Sequence, residues 1–206
     1  MSIKKVIAAT KNAGKIREIK QILGREAEVL TMSEAGFSEE IEETGATFEE
    51  NAIIKAKAVY EALKDKLSFD LVISDDSGLE IDYFDKKPGV YSSRWLGEDT
   101  PYDVKNQIVL DRLSGVPEEK RTARYVAAIA CILPGGEAVT VKETAEGRIA
   151  ASPSGSGGFG YDPIFEFPGM GTFADLTADE KNAVSHRGKA LRALRKELES
   201  RGLIQD

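Results

Sequence analysis

Two adjacent carboxylates, Asp75 and Asp76, begin the run Asp75-Asp76-Ser77-Gly78, just behind the apolar residues Leu71, Val72 and Ile73. Such neighbours repel each other unless a cation or a proton-transfer role compensates. On extended backbone adjacent side chains point to opposite sides, so one Asp faces a site and the other supports it. Asp, Ser and Gly also make surface turns, but the position behind an apolar stretch favours a site. Oxygen ligands of this kind suit Mg²⁺ rather than zinc or copper. Earlier in the chain, Thr10-Lys11-Asn12-Ala13-Gly14-Lys15 sits where a strand passes into a helix. Free amides and the positive helix end attract an anion there, and Lys15 adds a full charge. Asn12 as a plain helix cap and Lys15 as a solvated side chain account for the same residues. A Walker loop is excluded, because its two glycines and Gly-Lys-Ser/Thr ending are missing.

Three further segments carry chemistry. Gly157-Gly158-Phe159-Gly160-Tyr161-Asp162 sets aromatics between glycines. The glycines allow close backbone approach to a ligand, and Phe159 or Tyr161 offers a flat face for a base. Turn packing is the simpler account, against which the density of the pattern counts. Lys181, His186 and Arg187 gather an ammonium, an imidazole and a guanidinium at the start of the last helix, where positive charge opposes the macrodipole and calls for an electron-rich partner. Glu42-Glu43-Thr44-Gly45, on residue chemistry alone, reads as a solvated loop.

Composition narrows the classes. The chain has 206 residues, 28 Lys+Arg against 35 Asp+Glu, and a net charge of −7. That balance argues against a general polyanion binder, so no nucleic-acid polymer is expected as partner. One histidine cannot build a multi-histidine zinc site, and a Ser-His-Asp triad would have to use His186. One cysteine, Cys131, excludes an internal disulfide and fits a reducing compartment. The longest uncharged apolar run, residues 126–133, is too short for a membrane span, and the apolar stretch at the start is too short for a signal peptide. A cytoplasmic location is expected. Residues 26–54 hold nine glutamates and no Lys or Arg; residues 181–201 hold seven Lys/Arg against Glu197 and Glu199. Most of these make solvated faces.

The elements that must position these groups follow from pattern. Residues 3–9 predict a buried strand, and Ile16, Ile19 and Leu23 a helix stopped at Gly24. Thr47 and Glu50 form a capping box before a helix with the stripe Phe48, Ala52, Ala56, Val59 and Leu63. Residues 70–74 predict a strand broken at Asp75, resuming over 79–83. The Lys87-Pro88-Gly89 run turns the chain, and residues 101–113 predict a helix behind Pro101. Residues 122–133 and 138–145 flank Pro134-Gly135-Gly136 as a hairpin, followed by a third short strand from Gly147. Residues 154–171, with six glycines, predict no regular element. Residues 181–201 predict one closing helix with Ala190, Leu191, Leu194 and Leu198 inward. The interleaving gives an α/β protein with a mixed sheet.

In order along the chain, five segments resemble one family. They are Thr10-x-Asn12-x-x-Lys15, Glu42-Glu43-Thr44-Gly45-x-Thr47-Phe48-x-Glu50-Asn51, Asp75-Asp76-Ser77-Gly78, Gly157-Gly158-Phe159-Gly160-Tyr161-Asp162-Pro163 and Ser185-His186-Arg187. The sequence is similar to the inosine/xanthosine triphosphate pyrophosphatases, which clear aberrant purine nucleotides from the cell. The likeness runs from residue 3 to about residue 200 and includes Pro88-Gly89-Val90-Tyr91-Ser92-Ser93-Arg94. Ser93 and Trp95 stand where Ala and Tyr or Phe are commoner.

The resemblance implies one domain over residues 1–206, with a long mixed central sheet flanked by helices and two lobes with a cleft between them. It also implies a homodimer, Mg²⁺ as cofactor, and cleavage of nucleoside triphosphates such as ITP, dITP and XTP to monophosphate and pyrophosphate. Position by position, Thr10, Lys11, Asn12, Ala13, Gly14 and Lys15 would hold the triphosphate. Asp76 would be general base and metal ligand, and Ser77 would touch the substrate. Phe159, Gly160, Tyr161, Asp162 and Lys181 would line the nucleotide, and His186 and Arg187 would meet the base. Glu42 matches the family's metal glutamate, with Glu43 beside it as the alternative. Two other readings use the same residues: a septum-inhibition-type pyrophosphatase for modified pyrimidine or methylated nucleotides, and a nucleotide sensor that does not hydrolyse.

Overall fold

In the computed structural model, residues 3–23, 27–97 and 99–203 are described; the Gly24 stop lies outside them. The first apolar run forms β1 (Lys5–Ala8), buried from Val6 onward. It pairs in parallel with β2 (Glu28–Thr31) on one side and β3 (Leu71–Ile81) on the other. Between β1 and β2 runs α1 (Ala13–Leu23), which buries Ile19. The expected capping box is present at the head of α2 (Phe48–Leu63), with Thr47 and Glu50 each satisfying the other's backbone. All five stripe residues of α2 are buried, and so are Asn51 and Lys55.

β3 corrects the prediction of a break at Asp75: it is one strand of 11 residues, buried through both aspartates. Repulsion does not interrupt it because each carboxylate has its own cation, described below. It ends at Ile81 in a short 3₁₀ turn (Asp82–Phe84), earlier than expected. β4 (Lys87–Pro88) folds back antiparallel on the end of β3, with a cis bond before Pro88. α3 (Tyr102–Arg112) begins behind Pro101 as expected.

The hairpin of β5 (Thr122–Ile132) and β6 (Ala138–Ile149) closes where Pro134-Gly135-Gly136 predicted, with the Gly136 amide donating to the Leu133 carbonyl at 2.9 Å. The third strand expected from Gly147 is the end of β6. A Cβ on Gly147 would lie 2.4 Å from the Glu166 carbonyl oxygen and 2.7 Å from the Phe165 ring, so here the glycine marks close strand approach rather than a turn. That approach admits β7 (Phe165–Phe167), and β8 (Gly171–Thr172) follows; both fall in the stretch expected to be irregular. The single closing helix is two, α4 (Ala178–Val184) and α5 (His186–Ser200). α4 starts early because Thr177 and Glu180 make a second capping box. It stops at Ser185, whose backbone is extended at ψ 155°, a residue type that competes with helix hydrogen bonding.

The strands form one mixed sheet in the order β2-β1-β3-β5-β6-β7-β8, with β4 added on β3. The fold is α/β, as expected. The chain forms two compact units: residues 1–76, 127–143 and 187–206 make the first, and residues 77–126 and 144–186 the second. The first has a core of Val6, Ala8, Ile19, Ile73, Ile129 and Cys131 under Ala190, Leu191, Leu194 and Leu198 of α5. In the second, Leu79, Ile81, Val109, Leu113, Ile164, Phe165 and Phe173 pack together. Among the described residues no helix is long and apolar enough to cross a membrane.

Candidate active site

In the first unit the two aspartates divide their tasks as strand alternation predicts. Asp75 is fully buried, and Arg187 grips it through Nε to Oδ2 at 2.7 Å and Nη2 to Oδ1 at 3.3 Å. Lys15 Nζ lies 2.7 Å from Asp75 Oδ1 and donates to the Asp75 carbonyl at 3.1 Å. Arg187 Nη1 also pairs with Glu18, one turn along α1 from Lys15. Burial opposes the Asp75 charge, but Arg187 and Lys15 outweigh it and hold the carboxyl well below its usual range. Burial leads the shift of Lys15: with Lys55 and Arg187 near, its ammonium is lowered despite Asp75.

Asp76 faces a different set. Its Oδ1 accepts from Lys55 Nζ at 2.8 Å, and the same ammonium lies 2.8 Å from Glu43 Oε1 and donates to the Asp75 carbonyl at 3.1 Å. Asp76 Oδ2 is buried with no hydrogen-bond partner among the described residues. Burial raises the Asp76 carboxyl above its ordinary value, with Glu43 adding to it, against the pull of Lys55 and Lys15. Lys55 is held above its usual value, since Asp76 and Glu43 outweigh the effect of burial. A carboxylate raised by burial beside a lysine, with one oxygen unsatisfied, has the character of a proton acceptor. Of the two glutamates, it is Glu43 that reaches this cluster; Glu42 is exposed, because burial alternates along the extended residues 41–45.

The start of α1 is organised by its own side chains. Asn12 Oδ1 accepts from the Lys15 amide at 3.0 Å, so Asn12 does cap the helix, and Thr10 Oγ1 accepts from the Asn12 amide at 3.2 Å. Ala13 and Gly14 form the first helical turn, and Lys11 Nζ reaches the Ser38 carbonyl at 3.4 Å.

In the second unit the glycine–aromatic loop is built around Asp162. Its Oδ2 accepts from the Phe159 amide at 2.7 Å and from Lys181 Nζ at 2.6 Å. Gly158 has φ +70°, and a Cβ there would lie 2.2 Å from that same oxygen; only glycine fits. The Gly160 carbonyl accepts from Asn106 Nδ2 at 3.1 Å. Lys181 Nζ stands 4.9 Å over the Phe159 ring and 5.8 Å over Phe173. Phe159 is half-buried, whereas Tyr161 is buried in the core, its hydroxyl donating to the Ser92 carbonyl at 3.0 Å and Tyr102 edge-on at 5.2 Å. Of the two rings, Tyr161 is the one enclosed by the core. His186 stacks on Tyr125 with centroids 4.5 Å apart and planes within 6°. Burial pushes the Tyr125 phenol well above its ordinary value, with Asp162 adding to it. Ser77 is half-buried in β3.

Sequence reasoning missed Lys55, Glu18 and Tyr125. A lysine reads as solvated by default, but Lys55 lies on the helical face of Ala52, Ala56 and Val59, and a cation inside an apolar stripe was the available signal. Arg187 itself pairs with two carboxylates, Asp75 and Glu18.

Comparison with known proteins identifies the family of the chain. A profile of the Ham1 family matches residues 6–197. A dITP/XTP pyrophosphatase of Bacillus subtilis (strain 168) is 50% identical over 200 residues, spanning 96% of this chain and 98% of the relative. One from Clostridium perfringens (strain 13 / Type A) is 42% identical over 199 residues, spanning 95% and 98%. Among solved structures, the Staphylococcus aureus Ham1 protein superposes with a TM-score of 0.82 at 38% identity, over 96% of this chain and all of that one. A nucleoside-triphosphatase / dITP/XTP pyrophosphatase from Mycobacterium abscessus gives 0.70 at 40% identity, over 92% and 98%.

Proposed function

The chain belongs to the Ham1 family, and from that premise we propose that it hydrolyses dITP, ITP and XTP to the monophosphate and pyrophosphate. The observation that carries this reading is Asp76, a raised carboxylate with an unsatisfied buried oxygen beside Lys55 and Glu43. Asp76 orients a water and takes its proton as the oxygen attacks the α-phosphorus. The bond from that phosphorus to the bridging oxygen breaks, and pyrophosphate leaves with the electron pair. Lys15, at the start of α1, meets the outer phosphates, and the capped turn of Thr10, Lys11, Asn12, Ala13 and Gly14 presents its amides to them. Ser77 contacts the substrate next to Asp76.

The donor set fits a divalent cation of the Mg²⁺ type. Glu43 and Asp76 offer hard oxygens, and one or two carboxylates plus substrate phosphates are the usual protein share of such a site. When bound, the cation neutralises charge developing on the phosphates. Glu42, exposed one residue away, is not assigned to it. The purine end belongs to Phe159, Gly160, Asp162, Lys181, His186 and Arg187, with Tyr161 fixing the loop from the core. A guanidinium offers donors only, so Arg187 matches a 6-oxo oxygen and mismatches a 6-amino group. An unsatisfied buried polar group costs about 1–3 kcal/mol, which is roughly ten- to a hundredfold discrimination. The protein acts as a homodimer in the cytoplasm, in keeping with its family resemblance and its single buried thiol.

A substrate panel tests the reading: pyrophosphate release from dITP, ITP and XTP against dATP, dGTP, modified pyrimidine and methylated nucleotides. Preference for the first three over dATP by tenfold or more, on the order one mismatched contact gives, is expected; guanine shares the 6-oxo group, so rejection of dGTP has to come from its 2-amino group instead. Preference for the last two groups would make it a septum-inhibition-type enzyme, and binding without release a sensor.

A further inference from the structure

Asn51 is fully buried, yet only half of its amide is engaged. Its Oδ1 accepts from the Gly45 amide at 2.8 Å; a backbone N–H can only donate, so the facing atom is the oxygen. Its Nδ2 has no hydrogen-bond partner among the described residues. An orphaned buried donor is costly, and a leucine of similar size would fill the space without one. What the asparagine contributes is the acceptor. The same contact constrains Gly45, where a Cβ would lie 2.7 Å from Asn51 Oδ1 and 2.7 Å from Glu50 Cβ. Glu50 in turn accepts from the Ala46 and Thr47 amides at 2.7 and 3.1 Å. Residues 45–47 are therefore fixed to the first turns of α2, two residues beyond Glu43. One turn along from Asn51, Lys55 receives the Glu43 and Asp76 carboxylates, each at 2.8 Å. Glu43 is thus tied to α2 by its own side chain through Lys55, and its loop is tied again, two residues on, by the Gly45 amide through Asn51.

We propose that Asn51 is a positioning residue for the divalent-cation site, which holds the Glu43 carboxylate beside Asp76 by anchoring the Gly45 amide. This rests on the reading that Glu43 and Asp76 hold the cation. Asn51 touches neither metal nor substrate; it removes the freedom Glu43 would have on an untethered loop, so the ligand pair is assembled before the cation arrives. Gly45 is the other half of the same device.

Binding of Mn²⁺ to the full chain without nucleotide, followed by electron paramagnetic resonance, tests this alongside thermal melting. Asn51→Leu and Gly45→Ala should each raise the Mn²⁺ dissociation constant by about ten- to a hundredfold, the usual effect of losing an outer-shell partner. The double variant should bind no more weakly than the weaker single, because both remove one contact. Unchanged Mn²⁺ affinity in the variants, with or without a lower melting temperature, would make Asn51 a packing residue and overturn the proposal. If Asn51→Leu does not fold, Gly45→Ala decides alone. Glu43→Gln separates the two layers. If it leaves Mn²⁺ affinity intact, the cation reading itself fails. If it weakens binding while Asn51→Leu and Gly45→Ala do not, only the positioning role is lost.

Discussion

Asp75 and Asp76 show how far one peptide bond can separate two chemistries. Asp75→Asn removes the anion that neutralises Arg187, and breaking a buried pair of this kind costs about 3–5 kcal/mol. The Asp75 carboxyl is held below its ordinary 3.8, so its contribution is complete above that pH and is lost as pH falls through the lower folded value. The melting-temperature gap between parent and Asp75→Asn should therefore be full at neutral pH and close below about pH 4. Asp76 has the opposite sign. Burial raises it, so its charge is a burden on the fold, and Asp76→Asn should melt no lower than the parent at pH 7 while turnover falls by roughly 10²–10⁴-fold. Turnover within a few-fold of the parent would remove Asp76 from the base role. The division between the two aspartates was legible from strand alternation; which of Glu42 and Glu43 pairs with Lys55 was not, because it depends on how a loop lies against α2.

Elements were legible wherever hydrogen bonding is local. Thr47 and Glu50 announced α2 correctly because a capping box is complete within four residues. β3 was misread because what keeps it continuous through Asp75 and Asp76 comes from Lys15, Lys55 and Arg187, distant in sequence. Gly147 was misread for a similar reason: its neighbour is β7, not the residues beside it. Filling that position tests the account. In Gly147→Ala the new methyl would meet the Glu166 carbonyl at 2.4 Å, and backbone cannot swing aside as a side chain can. Overpacking of this kind costs about 1–3 kcal/mol, measurable as a lower urea midpoint with unchanged slope. An unaffected midpoint would mean that β6 and β7 separate at little cost. The break at Ser185 was hidden because residues 178–200 keep helix formers on both sides of it.

At the scale of the molecule, a net charge of −7 repels a triphosphate at long range, leaving attraction to local cations and to the divalent cation proposed at Asp76 and Glu43. Chelation should abolish pyrophosphate release while the melting temperature stays within a few degrees, since two apolar cores carry the fold. Unfolding on chelation would recast the cation as structural. The α/β class was readable from the interleaving of strands and helices, but the strand order was not, since nothing local to β5 says that it lies beside β3. The way the chain is shared between the units has a consequence for anyone dissecting the gene. The first unit is assembled from three stretches and the second from two, so no single cut yields either one whole. Truncated chains would inherit two incomplete cores, and neither half is a cassette that recombination can move intact into another protein.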